Sequence, residues 1–324
     1  MKTLEELQEI AIETIRQEQF LHSPYTLYEP IHYTMEQEGK RIRPLLTLLA
    51  SELFEGNIEN AKPSALAIET AHNFTLLHDD IMDASPLRRG KETVYKKYGT
   101  DKAILSGDTM LAIAYQYLLR SPKALIAELM ECFTKGMIDV FAGQAYDMEF
   151  EQRNDVRIEE YIDMISLKTG ALLATSLQLG AITAQAKPQD IENLYEFGIN
   201  IGIAFQLMDD ILDCWSNLED FGKVTGTDIA DNKKTFLYLK SLELAEKDDK
   251  EILTKYFSST NFDKKEKEDA IKSIYHKLNL KAIAQELMQE YNNKAMESLD
   301  KIGVDNQRKQ NLICFANILM QRNK

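Results

Sequence analysis

Basic residues are in short supply in this chain: 38 Lys and Arg stand against 52 Asp and Glu, a formal net charge of -14. Non-specific binding to nucleic acid or to an anionic membrane needs a basic surface, so neither is expected, and an anionic ligand would need a local cationic site or metal ions. Cysteine is scarce too. Cys132, Cys214 and Cys314 are odd in number, far apart and without a Cys-x-x-Cys pair, which argues against a disulfide framework or a zinc site and fits a reducing cytoplasm. The start, "MKTLEELQEIAIETIRQEQ", is acidic and amphipathic rather than basic and then apolar, and no apolar run is read as approaching the ~20 residues of a membrane span. The expectation is a soluble, unprocessed, cytoplasmic protein with no stable membrane insertion.

Also missing are runs of alternating β-branched residues bounded by hairpin turn signals. Helical periodicity runs throughout, so the chain reads as all-α. Prolines stand where helices can begin: Pro44 before "LLTLLASELF", Pro63 before "SALAIETAHNFTLLHDDIMD", Pro122 before "KALIAELMECF" and Pro188 before "QDIENLYEFGINIGIAFQLMDDILD". The chain beyond about residue 245 is rich in Lys and Glu and reads as a solvated outer helical layer. With no low-complexity linker, residues 1–324 read as one domain, long enough to bury an enzyme-sized core.

What is present in excess is aspartate, and it is concentrated. In "TLLHDDIMDASPLRRG", Asp79 and Asp83 share a helix face with Asp80 beside them, and Arg88 and Arg89 follow. Like charges at that spacing cost ~0.2–0.5 kcal/mol per pair on an exposed helix, more if the face is partly buried. A single such cluster would read as a solvated helix end. It recurs, however, as Asp209, Asp210 and Asp213 in "FQLMDDILD", again at the end of a long apolar helix and followed by a loop holding Lys223 and Lys233. Carboxylates are hard ligands suited to Mg²⁺, which commonly bridges one or two of them to substrate phosphates. Two Asp-rich helices facing across a cavity, with Arg forks and Lys point charges in the loops, point to a polyanionic substrate.

Weaker signals agree. "EGKRIRP" puts Lys40, Arg41 and Arg43 around a glycine at a helix start, either a second anion site or a plain basic flank. His72 lies two helical turns before Asp79, where a histidine is more often structural. Lys168 and Thr169 sit in an otherwise apolar helix, where a lysine needs a partner or an exit to water.

In their order, "GKRIRP", "HDDIMDASPLRRG", Gly107-Asp108, "GQAYD", "KTG", "FQLMDDILD" and "FGKVTGTD" make the chain resemble the trans-type isoprenyl diphosphate synthases of the polyprenyl synthetase family. The resemblance spans roughly residues 39–237. It implies the isoprenoid synthase fold, an all-α bundle around a deep central cavity; a homodimer; and Mg²⁺-dependent condensation of isopentenyl diphosphate with an allylic diphosphate (dimethylallyl, geranyl or farnesyl), with three ions bound and Mn²⁺ as a substitute. By the same resemblance, Asp79, Asp83 and Asp209 would ligate the ions, supported by Asp80, Asp210 and Asp213. Arg88, Lys168, Lys223 and Lys233 would hold the allylic diphosphate, and Lys40, Arg43, His72 and Arg89 the isopentenyl diphosphate. Thr169 and Gln206 would face the developing allylic cation. Three positions depart from the common pattern: Glu38 for a glycine, Glu92 for a proline and Asn232 for the glycine before Lys233. They bear on loop geometry and leave the charged ligands in place.

Product length in this family is limited by bulk before the first cluster. Phe74, the fifth residue before Asp79 and so ~7.5 Å up the helix at 1.5 Å per residue, is a single plug beside the small Thr75. That pattern resembles producers of the C20 geranylgeranyl chain. C15 farnesyl is the alternative, and C25 or longer if Phe74 is ordinary core, with Met110, Ala114 or Tyr115 as other candidate floors. Competing readings are a non-catalytic regulatory subunit, which typically loses aspartates; a terpene cyclase, which lacks the second Asp-Asp-x-x-Asp; and a diphosphate hydrolase.

Overall fold

Thr3 opens the first helix with a capping box: its hydroxyl accepts from the Glu6 N–H, and the Glu6 carboxylate accepts from the Thr3 N–H. The computed structural model describes residues 1–216, 226–258 and 262–320. Among them secondary structure is helical apart from one pair of two-residue strands, Leu87–Arg88 and Lys91–Glu92, which pair antiparallel. The all-α expectation is met. The hairpin was not foreseen, because its signal is one residue pair: Arg89 (φ 52°) and Gly90 (φ 75°) both take positive φ, as a two-residue primed turn requires.

The chain divides into two compact units, residues 1–137, 172–195 and 299–315, and residues 138–171, 196–298 and 316–324. In the first unit the helix Ile42–Leu53 buries Leu45, Leu46, Leu48 and Leu49, and the helix Ile58–Met82 buries a small-residue face of Ala61, Ala65, Ala67 and Ala71. Small side chains permit close helix approach, and each fully buried leucine contributes ~1.5–3 kcal/mol. The helix Thr100–Leu118 packs against Ile58–Met82 so tightly that a Cβ on Gly107 would lie 2.4 Å from His78 Nε2. In the second unit Phe150, Tyr161, Leu207, Ile211, Phe236, Leu253, Ile271 and Tyr275 share one apolar core.

Helix starts differ from the proline reading at three of four places. The helix expected at Pro63 begins at Ile58, because the Asn57 side chain accepts from Glu59 N–H and caps it there, leaving Pro63 inside the second turn. Pro44 likewise lies in the first turn of a helix that starts at Ile42, and the helix after Pro122 starts at Ile126. Pro188 does open its helix, Pro188–Trp215. The reading of apolar runs also needs correction: Ile158–Thr183 is long and apolar enough to cross a membrane. The intervening Lys168 and Thr169 hid it, and the helix is mostly buried within the protein.

Candidate active site

In the first unit, the Ile58–Met82 helix ends in a Schellman arrangement. Ser85 N–H donates to the Asp80 carbonyl at 3.0 Å and Ala84 N–H to the Ile81 carbonyl at 3.2 Å, with Ala84 left-handed at φ 50°. This stop places Asp79, Asp80 and Asp83 in the last turn and cap. Carboxylates there oppose the negative end of the helix dipole, at ~0.3–1 kcal/mol each when exposed, and a bound cation reverses that sign.

The hairpin returns Arg88 to this end. Its Nε donates to Asp80 Oδ1 at 2.8 Å and its Nη2 to Asp79 Oδ2 at 3.3 Å. Burial pushes the Asp80 carboxyl up to about 6 although Arg88 works against it. Arg89, on the turn, donates from Nη1 to the Glu38 carbonyl at 3.2 Å, and its guanidinium lies 2.9 Å from where a Cβ on Gly39 would sit. Lys40 follows on that same segment and is exposed.

Arg43 donates from Nη1 to His72 Nε2 at 3.0 Å. Burial, followed by the fields of Arg43, Arg89, Arg88 and Arg41, holds the imidazole well below its usual range. His72 is therefore neutral at pH 7, with its lone pair on Nε2 and its proton on Nδ1. Burial also pulls Arg43 down to about 10, the buried Glu69 opposing the shift. Arg41 turns out to be structural: from a left-handed cap at φ 47° it donates to Glu69 Oε1 at 2.6 Å and to the carbonyls of Met35 and Gln37. The first unit thus gathers Lys40, Arg43, Arg88 and Arg89 as a cationic wall beside one carboxylate cluster, with neutral His72 bonded to Arg43.

In the second unit, the run "SLKTG" forms a π-helical turn, Ser166–Gly170, inside a longer helix. Such bulges are common at functional sites because they re-aim side chains. Gly143 lets the neighbouring helix come so near that a Cβ there would lie 2.3 Å from Lys168 N. Lys168 Nζ consequently reaches Asp147 Oδ2 at 2.6 Å, and Lys233 Nζ lies 3.5 Å from the same oxygen and 2.8 Å from Glu151 Oε1. Burial raises Asp147, but the two lysines outweigh it and its carboxyl ends below the usual range. Thr169 donates to Gln206 Oε1 at 3.0 Å, Gln206 to Asp210 Oδ1 at 3.2 Å, and Tyr161 to Asp210 Oδ2 at 2.5 Å. Burial lifts Asp210 to about 7 despite these donors.

Asp213 acts through the chain that follows it: one carboxylate oxygen accepts from Thr227 Oγ1 at 2.7 Å and the other from Asp228 N–H at 3.1 Å. Burial and the charges of Asp213 and Asp210 push Asp228 well above the usual carboxylate range. Asp209 is half-buried on the same helix, and Lys223 lies outside the described residues.

Among the described residues no three His, Cys, Asp or Glu side chains converge as a closed metal cluster. The donor set nonetheless fits a hard divalent cation. Each helix end offers crowded carboxylates, with Asp80 buried at the first and Asp210 and Asp213 at the second, and a cation shared with a diphosphate takes only one or two of them, completing its shell with water and phosphate oxygen. Residues missed by sequence reasoning are Glu69, Asp147, Tyr161 and Asp228. Asp147 and Asp228 end the motifs "GQAYD" and "FGKVTGTD" quoted above, and Glu69, inside "ALAIETA", carried a signal too; Tyr161 carried none.

The polyprenyl synthetase family matches residues 24–278. The geranylgeranyl diphosphate synthase of Sulfolobus acidocaldarius is 41% identical over 280 residues, 85% of this chain and 84% of that protein. The short chain isoprenyl diphosphate synthase of Methanothermobacter thermautotrophicus is 40% identical over 80% of each chain. Among solved structures, a geranylgeranyl pyrophosphate synthase superposes with a TM-score of 0.95 at 39% identity, covering both chains completely.

Proposed function

This chain belongs to the polyprenyl synthetase family, and from that premise we propose that it condenses isopentenyl diphosphate with an allylic diphosphate to make a short-chain all-trans prenyl diphosphate, the C20 geranylgeranyl product. It is a trans-prenyltransferase of a family that uses divalent metal and these two diphosphate classes. The observation that carries the reading is the combination, in a chain 41% identical to a geranylgeranyl diphosphate synthase, of two Asp-Asp-x-x-Asp helix ends, each with cations bonded to or following its carboxylates.

We assign Asp79, Asp83 and Asp209, with Asp80, Asp210 and Asp213 behind them, to the Mg²⁺ ions, which Mn²⁺ could replace. When bound, these ions supply Lewis acidity that stabilises the departing diphosphate. Lys168 and Lys233, and Lys223, add fixed positive charge as the allylic carbon–oxygen bond breaks, so they stabilise the transition state more than the ground state. Asp147 keeps Lys168 and Lys233 charged and oriented until diphosphate replaces it as their partner. Thr169 and Gln206 turn oxygen dipoles toward the developing allylic cation, and Gln206 is held by Asp210, itself held by Tyr161.

Arg43, Arg89 and Lys40 hold isopentenyl diphosphate, with neutral His72 keeping Arg43 in place. The alkene attacks the cation, and the released diphosphate takes the proton. An apolar wall protects the cation from water. We place the floor of that wall at Phe74, which is buried and packs edge-on against His78 at 4.8 Å. We read residues 1–324 as one catalytic domain with a central substrate cavity, acting as a cytoplasmic homodimer without stable membrane or nucleic-acid contact. The acidic composition and the exposed apolar Ile104 and Leu105 support that reading.

Product length tests the assignment: purified protein receives Mg²⁺, labelled isopentenyl diphosphate and each allylic primer in turn. Accumulation of C20, with farnesyl diphosphate accepted, is expected. C15 alone moves the floor towards the aspartates, C25 or longer discards Phe74, and no elongation by folded protein overturns the synthase. Light scattering tests the dimer.

A further inference from the structure

Lys267 and Lys234 are two buried lysines, 3% and 7% exposed, that the mechanism does not use. Burying an ammonium group is costly unless it is partnered, and placing two side by side adds repulsion. Both converge on one residue. Lys267 Nζ donates to Asn232 Oδ1 and, at 3.4 Å, to the Ala230 carbonyl, while Lys234 Nζ donates to the Asn232 carbonyl at 3.4 Å. Tyr238 and Phe257, stacked at 3.7 Å, floor the pair; Lys267 Nζ sits 5.0 Å from the Phe257 centroid and Lys234 Nζ 5.7 Å.

Asn232 has left-handed backbone at φ 60°. It stands where the family pattern has a glycine, the residue that adopts this conformation without strain. The reversal there closes with Lys233 N–H on the Asp228 carbonyl at 2.9 Å and sends the Lys233 side chain to Glu151 and Asp147. An asparagine tolerates positive φ better than most residues, yet it still needs something to favour that basin.

We propose that Lys267 is a positioning residue for Lys233, pinning Asn232 in the left-handed turn and so replacing the conformational freedom of the missing glycine. The inference rests on the reading of Lys233 as an allylic diphosphate ligand. Lys267 touches no substrate; it acts through Asn232. The Asn232–Lys267 bond and the departure from glycine are then one feature, and losing either partner should matter only while the other is present.

The test is steady-state kinetics of the full chain, with KM measured separately for the allylic and isopentenyl diphosphates. Lys267→Met is expected to raise the allylic KM about tenfold and to leave the isopentenyl KM within about twofold. Lys267→Gln, which keeps an N–H for Asn232 Oδ1, should recover most of the loss. In an Asn232→Gly background, Lys267→Met should change the allylic KM by less than about twofold, because glycine needs no pin. Asn232→Ala removes the acceptor and keeps Lys267; it should reproduce the allylic shift and stands in if Lys267→Met does not fold. Equal shifts in both KM values, or the same cost with and without Asn232, would reduce Lys267 to a core residue and overturn the inference. Lys233→Gln separates the two readings. If it leaves the allylic KM unchanged, the Lys233 assignment fails and takes the inference with it; if it raises that KM while Lys267→Met does not, only the inference fails.

Discussion

Gly202 and Gly170 cross so closely that a Cβ added to Gly202 would lie 2.3 Å from the Gly170 Cα. Real Cβ atoms do not approach backbone at that distance, so the helix Pro188–Trp215 sits against the π-helical turn only because Gly202 has no side chain. This contact puts Thr169 within 3.0 Å of Gln206 and, through Gln206, in register with Asp210. Gly202→Ala should therefore force the helices apart. We expect destabilisation of about 1–3 kcal/mol from overpacking, and a fall in kcat beyond what the stability loss explains. Thermal melts read the first and turnover below the melting range the second; an unshifted melt would mean the crossing relaxes freely.

His72 gives a prediction in pH. Its folded value lies well below that of an unfolded histidine, about 6.5, so below pH ~6.5 the unfolded chain binds the proton that the native chain refuses. Stability from this group is complete above that range and is lost as pH falls through it, at up to ~1.4 kcal/mol per pH unit. His72→Asn should show a shallower fall in melting temperature between pH 7 and 5.5. Parallel curves for the two proteins would place the proton on the native imidazole.

Asp79→Ala and Asp209→Ala each remove an expected metal ligand. Turnover should fall about 100-fold or more, because several kcal/mol of transition-state stabilisation depend on the ion, while circular dichroism stays that of a folded helical protein. Unchanged rates in either variant would remove that helix end from the metal assignment.

Phe74→Ala should lengthen the product and cost ~3–5 kcal/mol of stability, since the ring is buried against His78. Chromatography of the labelled chains reads the first effect and denaturant titration the second. A destabilised variant that still stops at the wild-type length would make Phe74 ordinary core and shift the floor to Met110 or Ala114, both fully buried in the Thr100–Leu118 helix.

Much of the candidate site was legible in linear order because its charged groups are local in sequence. Asp79 and Asp83 share a face by helical periodicity alone, and Arg88 follows within the length of a short turn. The all-α fold was legible for the same reason: the 3.6-residue repeat is written into the order of apolar residues. Helix starts were not, because Asn57 outcompetes Pro63 as a start signal through a bond to Glu59 N–H that proline placement does not reveal. The long apolar helix Ile158–Thr183 was hidden by Lys168, whose charge is met by Asp147, 21 residues earlier in the chain.

Sequence by itself determined the helical class, the doubled carboxylate clusters and the cations set beside them, since each depends on residues within a few turns of one another. Tertiary structure alone decided the protonation of His72, the sharing of Asp147 by Lys168 and Lys233, and the role of Asn232. Each of these depends on desolvation or on a partner tens of residues away, and both exist only once helices have packed.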